Sequence, residues 1–267
     1  MDLKRNAKRF TGKAYVSLYD NFRPEPPVAI LQQGLSYLGV DKADLIIDLG
    51  CGTGISTRVL GKYGNAIIGV EPSEEMLSIA KEKTQAKHIS YQQAYANAID
   101  VKSSSVDMIT CSQSFHWMEP QSTLKEIDRV LKTNGVLIIY DVIWPPSTNF
   151  KLELAYKQLF TKVDQLTDSL DETIAHKWEK HNHLSNVKKS NAFNYVKEAY
   201  YHKTEPFNTD TFIGIALSQG GLEALLKRGF SEKEIGVTRF KNTVQNIAES
   251  CDTLTYNYKV IFGVSNS

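Results

Sequence analysis

Asp48-Leu49-Gly50-Cys51-Gly52-Thr53-Gly54 gathers the residue types that a nucleotide site needs. An acidic residue closes the apolar run Leu45-Ile46-Ile47, three glycines alternate, and Ile55 to Leu60 can continue as a helix. Glycine reaches backbone angles that other residues avoid and lets a ligand come close to the main chain. The helix that follows presents unpaired N–H groups and the positive end of its dipole. Glu71 ends the second apolar run, Ala66-Ile67-Ile68-Gly69-Val70, some 20 residues beyond the loop. A carboxylate there can accept both hydroxyl protons of a ribose diol, a charge-assisted pair. Adenosine ligands of several kinds would suit that pairing. The glycine spacing is narrower: G-x-G-x-G replaces the G-x-G-x-x-G of dinucleotide folds.

A second set of residues has chemistry without a fixed spacing. His116 titrates near neutral pH and could orient a substrate or remove its proton, and Trp117 could close a pocket. Packing at the start of a helix would account for both equally well. Phe10, Tyr15, Tyr19 and Arg23 form an amphipathic N-terminal stretch that could cover a site. The planar fork of Arg23 suits two-point contact with a carboxylate. His176, His181 and His183 do not share one helix face and have no Cys or paired acid to complete a tetrahedral set. The reading is no metal, with these histidines solvated.

These residues need elements to hold them. Leu45–Leu49, Ala66–Val70, Ile89–Gln93, Val106–Cys111 and Val136–Val142 read as strands, separated by helical stretches at Ile55–Leu60, Met76–Lys83 and Leu124–Leu131. Ser73 is placed to cap the second of these helices, with Glu74 and Glu75 in its first turn. Gly135 suits a positive φ in the turn Lys132-Thr133-Asn134-Gly135. Such alternation predicts a doubly wound, mostly parallel sheet, whose ligands bind beyond the carboxyl ends of the strands. Pro145-Pro146 should then break the fifth strand. Asn149 should cap a helix with Leu152, Tyr156, Leu159, Val163 and Leu166 on one face. Tyr195–Tyr201 and Thr255–Val264 supply two further strands, with a helical stretch from Thr209 to Gly229 between them.

The bulk composition narrows the partners. The chain has 267 residues, with 31 Lys and Arg against 30 Asp and Glu, for a net charge of +1. Neither a nucleic acid nor an anionic membrane is an expected partner, because binding to phosphate backbones needs concentrated positive charge. Cys51, Cys111 and Cys251 leave an odd thiol over, which points to reduced packing cysteines and a cytoplasmic location. Met1 to Arg9 has no apolar core of a signal peptide, and no apolar run approaches the roughly 20 residues of a membrane span. The oligomeric state is left open.

Three segments together resemble a known family. They are the glycine loop, Gly69-Val70-Glu71-Pro72-Ser73-Glu74-Glu75-Met76-Leu77, and Arg129-Val130-Leu131-Lys132-Thr133-Asn134-Gly135. The chain is similar over about residues 10 to 142 to class I methyltransferases that use S-adenosylmethionine, in the group that includes trans-aconitate methyltransferases. Ser112-Gln113-Ser114-Phe115-His116-Trp117 and Tyr19-Asp20-Asn21-Phe22-Arg23-Pro24 also look like that group. The resemblance implies a Rossmann-like α/β fold with seven strands and S-adenosylmethionine as cofactor. Gly50, Cys51, Gly52, Thr53 and Gly54 would pack under its methionine part, with Asp48 helping to hold the ammonium. Glu71 would take the ribose hydroxyls, Pro72 and Met76 would lie near the adenine, and Ser112 and Gln113 would flank the sulfonium. Where the family commonly has an acid against the adenine edge this chain has Tyr95, followed by Ala96.

The expected organisation is one methyltransferase domain over 1–267. N-terminal lid helices would occupy about 1–40, the cofactor core 41–144, a helical insertion about 145–194, and C-terminal strands and a helix 195–267. The expected activity is methyl transfer to a small molecule, with a carboxylic acid among the candidates. Tyr19, Arg23, His116 and Trp117 would contact the substrate, and His116 is the one candidate base. A non-catalytic binding protein and an NAD-dependent oxidoreductase are the alternatives, and the latter would call for the wider glycine spacing.

Overall fold

Each apolar run singled out above lies in a strand of the computed structural model, which describes residues 12–170 and 176–266. The strands are β1 (Ala43–Leu49), β2 (Gly64–Val70), β3 (Ile89–Gln92), β4 (Val106–Ser112), β5 (Leu131–Ser147), β6 (Phe193–Pro206) and β7 (Thr253–Ser265). They form one sheet in the order β3-β2-β1-β4-β5-β7-β6. The first five are parallel, and β7 runs antiparallel between β5 and β6. The order reverses at β1, which pairs with both β2 and β4. A crevice opens beyond the carboxyl ends of the strands at such a reversal. In-register pairs Leu49 with Val70 and Val70 with Gln92 bring three loop starts to that one edge.

The helices among the described residues are α1 (Lys13–Phe22), α2 (Val28–Leu38), α3 (Ile55–Leu60), α4 (Glu74–Lys83), α5 (Pro120–Val130), α6 (Phe150–Asp168), α7 (His183–Lys189), α8 (Thr209–Leu217), α9 (Gly220–Lys227), α10 (Glu232–Ile235) and α11 (Val237–Ile247). Alternate strand residues feed two cores, since successive side chains point to opposite faces of a sheet. Ile46, Met108, Ile138 and Tyr140 join side chains of α2, α6, α8, α9 and α11 on one face. Ile47, Ile109, Leu137 and Ile139 meet Leu124 and Ile127 of α5 and Val187 of α7 on the other. On α6 the expected stripe is buried at Leu152, Tyr156, Leu159 and Val163, and the Asn149 side chain accepts from Lys151 N at 2.9 Å. Ser73 caps α4 through Met76 N, with Glu74 and Glu75 in the first turn.

Four local expectations are corrected. Pairing in β5 lapses after Ile143 but resumes at Ser147 opposite Thr255, so Pro145-Pro146 perturbs the strand without ending it. This is the pattern proline produces where a ladder bond is already missing. In the turn before Val136 it is Asn134, with φ 59°, that takes the left-handed conformation, which asparagine tolerates better than most residues. Gly135 is required there for space, because a Cβ would lie 2.8 Å from the Lys132 carbonyl oxygen. The helical stretch after Thr209 is two helices, with Ser218 and Gln219 between them. Helices α10 and α11 were not anticipated, although Ser231 and Glu234 form a capping box at the start of α10.

Candidate functional site

The glycine loop takes its shape from three residues with positive φ: Gly50 at 66°, Gly52 at 55° and Gly54 at 79°. Gly50 N and Cys51 N both donate to the Val70 carbonyl, at 2.8 and 3.1 Å, which locks the loop to the end of β2. A Cβ on Gly50 would fall 2.6 Å from Ser114 Cβ and 2.8 Å from Met118 Cε, so the loop after β4 packs directly on its backbone. At Gly52 nothing lies within 4 Å of the Cβ position, and glycine serves there only for its φ.

Asp48 is fully buried beneath this loop. Its Oδ2 accepts from Ser56 Oγ at 2.6 Å and Thr57 Oγ1 at 2.7 Å, and its Oδ1 from Thr110 Oγ1 at 2.8 Å. Burial raises its pKa, and the three hydroxyls partly offset that. The carboxylate therefore ties β1, α3 and β4 together from below. The two serine and threonine partners sit eight and nine residues downstream, on the first turn of α3, where sequence spacing alone does not single them out.

A cleft of about 830 Å³ lies over the loop. It is lined by Gly50, Gly52, Glu71, Pro72, Met76, Tyr95, Ala96, Ser112 and Gln113 among the cofactor candidates, and by Tyr19 and Trp117. Asp48, Cys51, Thr53 and Gly54 stand behind its wall. Ala94, Asn97, Met118, Glu119 and Thr123 also line it and were not anticipated. Glu119 is the cap of α5, accepting from Ser122 N at 2.6 Å, a local signal present in Glu119-Pro120.

Glu71 is 8% exposed at the cleft edge. Its Oε2 accepts from Gly52 N at 3.2 Å and its Oε1 from Ser73 N at 3.0 Å. Burial pushes its pKa up to about 7, against those two bonds, with the Asp48 charge adding to the rise. Each oxygen keeps a lone pair for a further donor. Cys51 and Cys111 are buried, and burial raises both thiols well above their ordinary range, which suits packing rather than nucleophilic attack.

A second cavity, about 1230 Å³, adjoins the first, and Tyr19, Gln113 and Trp117 line both. Gln113 holds a left-handed φ of 52° while its N donates to Tyr140 O at 2.8 Å. Such a conformation in a non-glycine residue is held only by its surroundings. Arg23 and His116 line the second cavity, with Trp144, Phe160, Asp164 and Trp178, none of which was anticipated. The Arg23 guanidinium lies over the Tyr19 ring at 4.8 Å and the Trp144 ring at 5.3 Å. Its Nη2 donates to Ser218 O and Gln219 Oε1, both at 3.0 Å, whereas its buried Nε has no hydrogen-bond partner.

Helix α1 reaches the first cleft through Tyr19 and is tied down on two sides. Asp20 pairs with Arg58 of α3 at 3.2 Å and with Lys83 of α4, and Tyr15 OH donates to Ser218 O at 3.1 Å on the other side. Phe10 lies outside the described residues, as does the stretch Met1 to Arg9.

His116 is 8% exposed, and burial pushes its pKa down to about 4 despite Asp141 Oδ1 at 3.5 Å from its Nδ1. The ring is neutral at physiological pH. One expectation about histidines is overturned: His183 is not solvated but 1% exposed, at the start of α7. His176 and His181 are exposed. The three expected to be unrelated do not gather, but His183 meets His116 and Asp141, with ligand atoms of all three within 4.8 Å of one another.

Comparison with known proteins agrees with this architecture. The methyltransferase domain family matches residues 47–139, from β1 into β5. A Schizosaccharomyces pombe protein, the uncharacterised methyltransferase-like C25B8.10, is 36% identical over 128 residues, covering 48% of this chain and 49% of the relative. The Saccharomyces cerevisiae protein CRG1, assigned as an S-adenosylmethionine-dependent methyltransferase, is 28% identical over 152 residues, covering 54% and 52%. The chain thus spans about half the length of the curated relatives it matches. A solved structure from Anaeromyxobacter dehalogenans, assigned as a type II methyltransferase, shares the fold with a TM-score of 0.71. It is 17% identical and covers 91% of this chain and 98% of that one. No helix among the described residues is long and apolar enough to cross a membrane. Over residues 47–139 the chain therefore matches the methyltransferase domain family, on the Rossmann-like sheet of such enzymes, and S-adenosylmethionine is the cofactor this match implies.

Proposed function

We propose that this chain, as one methyltransferase domain over 1–267, transfers a methyl group to a small organic acid. When bound, S-adenosylmethionine supplies an electrophilic methyl on a sulfonium. Gly50 and Gly52 would hold its methionine part on a loop shaped by Cys51, Thr53 and Gly54, with Asp48 fixing that loop and favouring the ammonium. Glu71 would accept the ribose hydroxyls on the lone pairs left by Gly52 N and Ser73 N. Pro72, Met76, Tyr95 and Ala96 would enclose the adenine, while Ser112 and Gln113 would flank the sulfonium.

The acceptor would occupy the second cavity. The observation that carries this reading is Arg23, whose buried Nε has no hydrogen-bond partner among the described residues. A buried unpaired donor on a cation is costly, and an acceptor carboxylate would satisfy it. Tyr19 and Trp117, at the boundary of the two cavities, would align the acceptor oxygen with the methyl carbon. Transfer is then an in-line displacement in which proximity and orientation supply most of the acceleration. A carboxylate nucleophile needs no proton removed, so His116 would act chiefly as a neutral wall of the cavity and would serve as base only for a protonated acceptor. Helix α1 would be the lid, and the helical insertion of about residues 145–194 would supply the far wall. A kinship with the trans-aconitate group, a cytoplasmic location and the absence of a nucleic-acid partner fit the same reading.

The test is a panel of small carboxylic acids, amines and phenols assayed for S-adenosylhomocysteine release. Turnover confined to carboxylic acids, and weakened in Arg23→Met through a raised acceptor KM, is the expected result. Turnover of amines or phenols alone would refute the acid reading, and silence across the panel would shift the protein to a non-catalytic binding role.

A further inference from the structure

Beside the second cavity, and outside the residues given a role in holding cofactor or acceptor apart from His116, lies a cluster that methyl transfer does not explain. Among the described residues, neither ring nitrogen of buried His183 has a hydrogen-bond partner, nor does Nδ1 of His116. Such orphans are rare because an unpaired buried polar group loses its hydration for nothing. The Asp141 carboxylate joins them, its Oδ1 3.5 Å from His116 Nδ1. Phe115 meets the His183 ring edge-on, with centroids 5.0 Å apart and planes at 88°, which fixes the ring without using its nitrogens. Three ligand-bearing side chains from three segments, the turn after β4, β5 itself and the first residue of α7, thus converge with donor atoms within 4.8 Å.

We propose that His116, Asp141 and His183 form a binding site for one divalent transition-metal ion of the zinc class. Two imidazoles and one carboxylate are a donor set that such ions prefer over calcium or magnesium. Metal–donor bonds of about 2.0–2.2 Å place tetrahedral donors roughly 3.5 Å apart. The cluster needs to contract by about 1 Å on that measure, a side-chain adjustment. The competitor is Lys180, whose Nζ lies 2.5 Å from Asp141 Oδ1. Its side chain is 42% exposed, so the ammonium can swing to water when an ion arrives. The ion would fasten the start of α7, next to residues 177–181 that wall the second cavity, to the sheet. The proposal does not depend on which molecule is methylated.

The full chain, stripped with chelator, is titrated with Co²⁺ and followed by its visible d–d bands, and with Zn²⁺ in competition against a chromophoric chelator. One ion per chain is expected. His183→Gln and Asp141→Asn should abolish the bands, and the pair His176→Ala with His181→Ala should leave them intact. Lys180→Met, a surface change that spares the fold, should tighten binding 10- to 100-fold, the scale on which groups behind the ligands act on metal affinity. The proposal fails if the wild type binds no ion saturably, which would leave a water as the partner of the orphaned nitrogens. It also fails if binding follows His176 and His181, or if Lys180→Met leaves the affinity unchanged.

Discussion

The two cavities of this molecule, proposed to hold cofactor and acceptor, are built by different means. The cleft over the glycine loop draws on four loops that leave adjacent strands of one sheet. Its key side chain, Glu71, sits at a strand end and is held by two main-chain donors. The second cavity is made from side chains drawn from α1, α6, residues 177–181 and the break between α8 and α9. The first arrangement can be altered only at the cost of the sheet edge, whereas the second can be re-lined residue by residue. A scaffold of this kind can keep one site while the other is re-lined.

That contrast can be broken from either side. Gly50→Val is the severest test, since a β-branched residue at φ 66° would also meet Ser114 and Met118. Strain and overpacking together should cost about 3 kcal/mol or more, read as loss of S-adenosylmethionine binding and a lower Tm. Glu71→Gln should weaken cofactor binding about 10- to 100-fold by calorimetry, the worth of hydrogen bonds to a charged acceptor. Asp48→Asn should act on stability first, by about 1–3 kcal/mol in denaturant unfolding, because an amide nitrogen would face a hydroxyl that now donates to the carboxylate. Arg23→Met should raise KM for the acceptor about tenfold with little change in cofactor affinity, which steady-state kinetics with each substrate varied would show.

The smallest effect is in pH. In its proposed role Glu71 would accept both ribose hydroxyls as the carboxylate, and its pKa is raised to about 7. Cofactor affinity should fall about tenfold from pH 8 to pH 6, and the slope should vanish in Glu71→Gln. The stability of the ligand-free protein runs the other way. A folded-state pKa raised from 4.5 to about 7 gives a contribution present below 4.5 and lost as pH rises through 7. Cofactor binding and apo stability should therefore cross in opposite directions over the same window, as thermal melts with and without ligand would reveal.

The two halves also differ in how far the sequence disclosed them. The seven strands, the cap at Ser73 and the shape of the glycine loop follow from spacing within a few residues, where period, capping and φ preferences operate. Asn134 and Gly135 show the limit of that local logic, because the residue needing a left-handed φ and the residue needing no Cβ were neighbours with exchanged roles. Trp144, Phe160 and Trp178 join Arg23 from separate segments, and nothing in their own surroundings marks them as neighbours. His183 is the sharpest case. Its spacing from His176 and His181 was uninformative, since its partners are His116 and Asp141, 67 and 42 positions away by subtraction of their numbers.

The division of labour between the two cavities is tested most directly by calorimetric titration of S-adenosylmethionine into the wild type, Glu71→Gln and Arg23→Met. One saturable site in the wild type is predicted, weakened in Glu71→Gln and retained at wild-type affinity in Arg23→Met. Saturable binding of NAD with none of S-adenosylmethionine, or equal losses in the two variants, would contradict it.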